Sequence, residues 1–206
     1  MDKKKKTKER ESLKVELEFT ELLLGTLPGD PKLAEEYVTS KHPEGTQKDE
    51  QESLPEEIKK FSSFFARDNK GNPILWDYQI KGFFKDACSM MRRVAQVDEL
   101  KAHKKIIDGL IFVFPRQIPL NLSGKLSFKE RPLRISTPKG DRTALARSEA
   151  APAGTKIQIE ILLLKPALKK FVINWLDYGI LRGLGQWRNS GMGRFQWRML
   201  KVPFKG

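Results

Sequence analysis

Four glycines near the C-terminal end of the chain restrict most strongly what this sequence can fold into. They form two pairs, Gly183 with Gly185 and Gly191 with Gly193, each with an apolar residue between its members. Five polar, aromatic or basic residues separate the pairs. Glycine adopts positive φ without a steric penalty and allows a second backbone to approach closely. The pattern therefore predicts an irregular loop, followed by a strand over residues 194–202.

The centre of this loop allows two interpretations. Four arginines lie in it or beside it: Arg182, Arg188, Arg194 and Arg198. Residues 182–206 contain no acidic residue, and arginines without a counter-charge favour an anionic partner such as a phosphate backbone. Trp187 or Phe195 would then offer an aromatic face on which a base stacks. In the alternative interpretation, the glycines are turn residues and the loop binds nothing.

The spacing of the glycines can be written G-h-G-x-x-x-x-x-G-h-G, where h is apolar. It resembles the glycine-rich loop of the RAMP (repeat-associated RNA-binding) superfamily, which includes the backbone and crRNA-processing subunits of CRISPR complexes. Residues 80–85, with the sequence IKGFFK, are similar to the L-K-G-x-x-R stretch that opens the first helix of backbone-type members. The resemblance implies a ferredoxin-like fold with an inserted thumb-like element and an RNA partner, and it adds Lys81 to the candidate binding residues.

The charge of the chain is unevenly distributed. The formal net charge is +13, yet residues 30–57 carry nine acidic residues and three lysines. Residues 123–148 carry two acidic residues and seven basic ones: Lys125, Lys129, Arg131, Arg134, Lys139, Arg142 and Arg147. If this basic region and the glycine loop converge in space, they form a groove for a polyanion, for which nucleic acid is the most economical choice. Otherwise the basic residues are spread over a solvated surface.

Hydrophobic periodicity predicts an α+β fold. Alternation with period two predicts strands over residues 13–24 and 156–161, and β-branched and aromatic residues predict another over 108–114. Apolar residues at helical spacing predict helices over 78–97 and from residue 165 or 169 to residue 181. With the strand after the glycine loop, the order is β-α-β-β-α-β, which is the ferredoxin-like (RRM-like) plan.

The helical spacing also predicts which side chains reach the core. On the first helix these are Ile80, Phe83, Phe84, Ala87, Met90, Met91 and Val94. On the second they are Leu168, Val172, Ile173, Trp175, Leu176 and Ile180.

The same patterns predict one domain over residues 13–206, preceded by a basic arm over 1–12. The domain carries two additions. The first is an acidic helical insertion over residues 28–72, in which residues 55–66 form one of the short helices. The second is a basic excursion over residues 123–154, which shows little periodicity and is long enough to suggest a function. The resemblance makes this excursion the thumb-like element.

No catalytic, metal-binding or cofactor-binding motif stands out. The single cysteine, Cys88, excludes an internal disulfide and a cysteine-based zinc cluster. His42 and His103 are expected to be surface residues, and Asp30 an ordinary turn residue between Gly29 and Pro31. The chain has no P-loop and no G-x-S-x-G elbow, and we therefore expect a binding protein without cofactor or metal.

Three functional hypotheses remain open. We favour a non-catalytic protein that binds single-stranded nucleic acid, RNA before DNA, and that assembles with itself or with other RAMP-like subunits. A metal-independent ribonuclease with His42 or His103 as base, and a protein-only assembly subunit, are the alternatives. A phage protein acting in replication, recombination or interference with CRISPR complexes is a further version of the first. With no apolar run of about 18 residues and no export signal, we expect a cytoplasmic protein.

Overall fold

The computed structural model describes residues 10–29, 62–95, 100, 102–137 and 140–200; for 95, 133–137 and 140–144 this covers the backbone alone. The strands are β1 (Glu11–Phe19), β2 (Leu23–Leu24), β3 (Leu27–Pro28), β4 (Ser62–Phe64), β5 (Ala66–Arg67), β6 (Pro73–Trp76), β7 (Ile111–Phe114), β8 (Gln117–Pro119), β9 (Ser127–Thr137), β10 (Gly140–Ala151), β11 (Lys156–Leu163) and β12 (Phe195–Met199). The helices are α1 (Asp77–Ala95), α2 (His103–Leu110) and α3 (Lys169–Arg182).

The central sheet has the spatial order β12-β1-β11-β7, and every neighbouring pair is antiparallel. In the sequence, α1 lies between β1 and β7, and α3 lies between β11 and β12. This is the β-α-β-β-α-β arrangement of a ferredoxin-like domain. The predicted fold class is therefore confirmed, with α2 as an extra helix. None of the helices in the described part of the chain is long and apolar enough to cross a membrane.

The core lies between the central sheet and the helices α1 and α3. Alternate residues of β1 and β11 are buried because successive side chains of a strand point to opposite faces of the sheet. Phe84 of α1 packs on Trp175 of α3, with ring centroids 5.6 Å apart. Each fully buried aliphatic or aromatic side chain stabilises the fold by about 1.5–3 kcal/mol relative to exposure.

Phe195, the first residue of β12, is enclosed by this core. Its ring contacts the rings of Phe19 and Phe83 at centroid distances of 6.0 and 5.6 Å. The ring also lies against the backbone of α3, because a Cβ at Gly179 would stand 2.0 Å from the Phe195 Cζ atom. Phe195 is fully buried, so the alternative in which it stacks on a base is wrong.

Two predicted core residues are exposed instead. Ile180 is 44% exposed, because the neighbouring Gly179 is the residue of that turn of α3 that meets the core. Val94, in the last turn of α1, is 88% exposed, while the earlier members of the same stripe, from Ile80 to Ala87, are buried. The helical pattern thus predicted both helices correctly but extended their buried faces too far toward the C-terminal ends.

Two predictions of secondary structure are also wrong, one in where a strand begins and one in the type of element. The strand predicted over 108–114 begins only at Ile111, because residues 103–110 form α2 with His103 and Ile107 buried on one side. The helix predicted over 55–66 is a strand from Ser62 onward. This strand, β4, pairs in parallel with β10 and antiparallel with β3, and tertiary pairing of this kind overrides local spacing. The rest of the predicted helical insertion, residues 30–61, lies outside the described residues.

The basic excursion contains a long β-hairpin. Strands β9 and β10 pair antiparallel from Gly140 opposite Thr137 to Ala150 opposite Ser127. The end of β10 near Ala151 also pairs with β2 and β4, which anchors the base of the hairpin in a second sheet. A third sheet has the order β5-β6-β8. The residues at the start of β9 are largely exposed, so no buried face imposed a period-two pattern on that part of the sequence.

Candidate nucleic-acid interface

All four glycines of the loop adopt positive φ, between 71° and 84°. Their surroundings differ. A Cβ at Gly193 would lie 1.8 Å from the Leu184 carbonyl oxygen, one at Gly183 would lie 2.5 Å from the Met192 carbonyl oxygen, and one at Gly185 would lie 3.0 Å from the Leu24 carbonyl oxygen. At Gly191 the nearest atom would be 3.6 Å away. At Gly183, Gly185 and Gly193, the backbone that approaches closely is therefore the protein's own.

Backbone hydrogen bonds close the loop on itself and on the first strands. The Leu184 N–H donates to the Gly193 carbonyl oxygen at 2.8 Å, and the Gly193 N–H donates to the Leu22 carbonyl oxygen at 2.8 Å. The helix α3 ends at the loop, where the Gly183 N–H still donates to the Gly179 carbonyl oxygen at 2.9 Å. The loop is thus a fixed platform between α3, β12 and the segment before β2.

Trp187 stands at the centre of this platform. Its φ of +50° makes it the one non-glycine residue with positive φ in the part of the chain that the structure describes. A side chain in this region costs about 1–2 kcal/mol, and such strain is concentrated at functional sites. The guanidinium of Arg131 covers the indole, with Cζ 4.5 Å from the ring centroid, and Arg131 Nη1 donates to Ser190 Oγ at 3.4 Å. The base of the hairpin therefore rests on the glycine loop.

A second contact joins the same elements. Ser63 Oγ and Ser148 Oγ are 2.7 Å apart and buried, and they lie 3.3 and 3.5 Å from Gln186 Oε1. Ser63 belongs to β4, Ser148 to β10 and Gln186 to the glycine loop. The two basic regions that are far apart in sequence thus meet in space. Gln186 and both serines were not predicted from the sequence, in which a polar residue between Gly185 and Trp187 is the only signal.

The pairing of β9 with β10 sorts the basic residues of the hairpin onto two faces. Lys129 lies opposite Ser148, so Lys129, Arg131 and Ser148 share the face that meets the loop. Arg147 lies opposite Glu130 on the other face, where its Cζ is 3.9 Å from the Phe128 ring centroid and its Nε is 3.4 Å from Glu130 Oε1. Arg147 is therefore separated from the loop-facing residues.

Four further basic residues of this region were predicted to bind nucleic acid, and the structure describes them only in part. Lys125 is exposed and precedes β9. The backbones of Arg134 and Arg142 belong to β9 and β10, and their side chains lie outside the description. Lys139 lies outside the described residues.

The expectation that the loop arginines have no counter-charge is wrong for three of them. Arg182 Nε and Arg188 Nη1 lie 3.1 and 2.7 Å from the same atom, Asp86 Oδ2 on α1. Arg198 Nη2 lies 2.7 Å from Glu16 Oε1 on β1. These carboxylates are distant in sequence, so the absence of acids in residues 182–206 did not reveal them. The sequence signal for Asp86 was a carboxylate within the apolar stretch from Phe83 to Cys88.

Arg194 differs from the other loop arginines. It is exposed, and within the residues that the structure describes no carboxylate pairs with it. Its guanidinium lies over Gly191, where a Cβ would be 3.6 Å from Arg194 Cζ. Because Ser190, next to Gly191, accepts the hydrogen bond from Arg131, Arg194 lies close to the hairpin contact. We call the set Lys129, Arg131, Trp187 and Arg194 the hairpin–loop surface.

Lys81 does not belong to this surface. Its Nζ lies 3.5 Å from the Asp108 carbonyl oxygen and 4.9 Å from the Phe112 ring centroid. Phe112 is in β7, the edge of the central sheet opposite to β12. Asp86 follows Lys81 by five residues, which corresponds to a rotation of about 140° around the helix. The helix α1 therefore directs Asp86 toward the glycine loop and Lys81 away from it.

The face of the central sheet that points away from the helices is lined with paired charges. Three ion pairs cross it: Lys14 with Glu160, Lys156 with Glu18, and Arg198 with Glu16. The pKa of Glu16 lies below its ordinary value, mainly because Gln158 donates a hydrogen bond to its carboxylate, and also because Arg198 donates a hydrogen bond and carries a positive charge beside it. RRM domains stack bases on aromatic residues of the corresponding face. Here the two central strands carry charges that neutralise each other, so the centre of this face offers neither a stacking platform nor an excess of positive charge.

His103 is buried, not exposed as expected. Arg92 Nη1 donates to His103 Nδ1 at 3.1 Å, so the ring nitrogen accepts and the imidazole is neutral. Burial, followed by the charges of Arg92, Lys104 and Lys85, lowers the pKa of His103 from its ordinary value. The helix α2 carries His103 into the core together with Ile107, one turn later. His42 and Asp30 lie outside the described residues.

The buried His103 predicts a pH dependence of stability. Its pKa in the folded protein lies below the value of about 6.5 in the unfolded chain. The unfolded chain therefore takes up a proton first, and we expect the free energy of unfolding to fall as the pH drops below about 6.5. His103→Asn, which retains an acceptor, should reduce this loss. Urea unfolding at pH 7.5 and 5.5 measures it, and an equal loss in parent and variant would contradict the assignment.

The fold is therefore a ferredoxin-like domain that carries a long β-hairpin and a glycine-rich loop. No protein-family model matches the sequence, and no curated protein is similar to it in sequence. Among solved structures, the chain is similar to a chain of the Type III-B Cmr-beta bound to cognate target RNA. The TM-score is 0.56 and the identity 11%, over 92% of this chain and 59% of that chain.

A second similar structure is a chain of a Type IV-B CRISPR complex. Its TM-score is 0.49 and its identity 11%, over 95% of this chain and 93% of that chain. The likeness to the Cmr-beta chain shows that the two chains share a fold. The present chain spans 59% of the length of that neighbour.

Proposed function

We propose that the protein binds single-stranded RNA on the hairpin–loop surface, as a RAMP-like subunit of a larger assembly. The observation that carries this proposal is the contact of Arg131 with Trp187 and Ser190, because it joins the two basic regions through residues that are more than 50 positions apart in sequence. Single-stranded RNA is recognised by basic side chains that hold phosphates and by aromatic or guanidinium planes on which bases stack. The hairpin–loop surface supplies both kinds of group.

The fold supports the choice of RNA and of an assembly. The neighbour with the higher TM-score belongs to a structure of Cmr-beta bound to target RNA, and we extend this partner class to the present chain. The charge-paired face of the central sheet supports placing the RNA on the hairpin–loop surface rather than on the sheet. Single-stranded DNA of the same sequence is the comparison that tests the preference for RNA, since a 2′-hydroxyl contact distinguishes the two.

We also propose that the protein binds RNA without cleaving it. Cleavage without a metal requires a general base within reach of the 2′-hydroxyl. The histidine that the structure describes, His103, is buried and its Nδ1 is occupied by Arg92. We expect end-labelled RNA to remain intact after incubation with the protein, with or without divalent metal. Discrete RNA fragments that appear only when the protein is present would contradict this part of the proposal.

The first test of the function is the salt dependence of binding. If four to six phosphates are neutralised, the affinity for single-stranded RNA should fall with a log–log slope of about −3 to −4 against salt concentration. Fluorescence anisotropy with a labelled oligonucleotide at several salt concentrations measures the slope. A slope near zero would show that the basic surface does not hold the RNA backbone.

A further inference from the structure

The ion pairs around Asp86 form an unusual arrangement beside the hairpin–loop surface. One carboxylate oxygen, Oδ2, accepts hydrogen bonds from both Arg182 Nε and Arg188 Nη1, at 3.1 and 2.7 Å. Arg182 is the last residue of α3, and Arg188 follows Trp187 in the loop. The two guanidinium groups converge on one point from two different elements, which is the geometry with which arginines bind an oxyanion.

The cluster is continuous with the proposed RNA surface. Arg182 Nη1 donates to Asn189 Oδ1 at 2.5 Å, and the next residue, Ser190, accepts from Arg131. The cluster is also incompletely neutralised, because two positive charges share one negative charge. The side chains of Asp86, Arg182 and Arg188 are 22%, 24% and 29% exposed, so solvent reaches them but screens them less than fully exposed pairs.

We infer that Asp86 is an internal competitor for the phosphate of the bound strand. In the free protein its carboxylate holds Arg182 and Arg188, and on binding a phosphate oxygen takes over donor groups that Asp86 otherwise occupies. The inference rests on the proposed function, since it concerns the affinity of the same surface for RNA. It assigns Asp86 a role in setting that affinity, in addition to fixing the loop to α1.

The test is Asp86→Asn. This change keeps the shape of the side chain and one acceptor oxygen but removes the charge that competes with phosphate. We expect the affinity for single-stranded RNA at low salt to increase about three- to fivefold, the range expected for a partly exposed ion pair. The log–log salt slope should become steeper by up to about 0.7, the contribution of one additional phosphate on a single strand.

The matched control is Asp108→Asn. Asp108 forms an ion pair with Lys85 at 2.6 Å, on the side of α1 near Lys81 and away from the loop. Asp108→Asn changes the net charge of the protein by the same amount as Asp86→Asn. Because Asp108 lies away from the loop, this variant should alter the affinity for RNA and the salt slope much less than Asp86→Asn. Thermal unfolding of both variants shows whether the fold is retained.

A double-mutant cycle provides a second, independent test. Arg188→Gln should weaken RNA binding more in the Asp86→Asn background than in the parent, because Arg188 is then fully available to phosphate. This comparison remains informative if Asp86→Asn lowers the melting temperature, provided that both backgrounds are folded at the temperature of the assay.

The possible outcomes separate the two proposals. Tighter binding and a steeper slope for Asp86→Asn alone support the inference. Unchanged or weaker binding by Asp86→Asn, with clear binding by the parent, overturns the inference and leaves the proposed function standing. Equal gains for Asp86→Asn and Asp108→Asn also overturn it, because net charge then explains the effect. No binding by parent or variant overturns the proposed function, and the inference with it.

Discussion

Replacing Gly193 by alanine should destabilise the protein by about 2–5 kcal/mol, the sum of left-handed backbone strain and forced repacking. The Cβ atom would lie 1.8 Å from the Leu184 carbonyl oxygen, which no rotamer can avoid. Relief requires movement of the backbone, and this would break the hydrogen bond from the Leu184 N–H to the Gly193 carbonyl oxygen. Urea unfolding of Gly193→Ala and of the parent measures the difference.

Gly191→Ala is the matched control for this prediction. Gly191 has a similar φ, 81° against 71°, but a Cβ there would meet nothing closer than 3.6 Å. The change should cost only the strain of about 1–2 kcal/mol that a side chain has in this region. Equal losses for the two variants would contradict the view that Gly193 is required by its contact with Leu184.

Reversing the charge of both Arg131 and Arg194 should reduce the affinity for single-stranded RNA by about 100-fold or more. A hydrogen bond between a charged group and its partner contributes about 1.5–3 kcal/mol, and two such contacts would be replaced by repulsion. Anisotropy titrations of Arg131→Glu/Arg194→Glu, at one low salt concentration, measure the loss.

The control for this prediction is Lys165→Glu/Lys170→Glu, which changes the net charge by the same four units. Both lysines are exposed; Lys170 is the second residue of α3, about 20 Å along the helix from the glycine loop, and Lys165 precedes the helix. We expect a loss of affinity well below that of the arginine variant. If both double variants lose the same affinity, binding depends on net charge alone and the hairpin–loop surface has no special role.

The parts of the fold that could be predicted from sequence are those in which burial imposes a period. In β1 and β11 every second residue faces the core, so the alternation of apolar and polar residues located both strands. The buried stripes of α1 and α3 located the helices, and the order of elements then gave the ferredoxin-like plan. The positive φ predicted for the loop glycines is also found at all four positions.

The parts that could not be predicted depend on partners far away in sequence. The strand β4 exists because β10 lies beside it, and the hairpin has little buried surface to impose a pattern. The counter-charges of Arg182 and Arg198 come from Asp86 and Glu16, on elements about 100 or more residues earlier. Local composition described the charge of the loop correctly but did not show how much of that charge is already neutralised.

Cross-linking of bound RNA by ultraviolet light, followed by identification of the modified residues by mass spectrometry, tests the central claim most directly. We predict adducts at Trp187 and at residues 127–131 of the hairpin, with few elsewhere. The competing surface is the face of the central sheet that points away from the helices, where RRM domains bind RNA. Phe114 lies there at the β7 edge and is 49% exposed. Adducts concentrated at Phe112 and Phe114, with none at Trp187, would contradict the proposal.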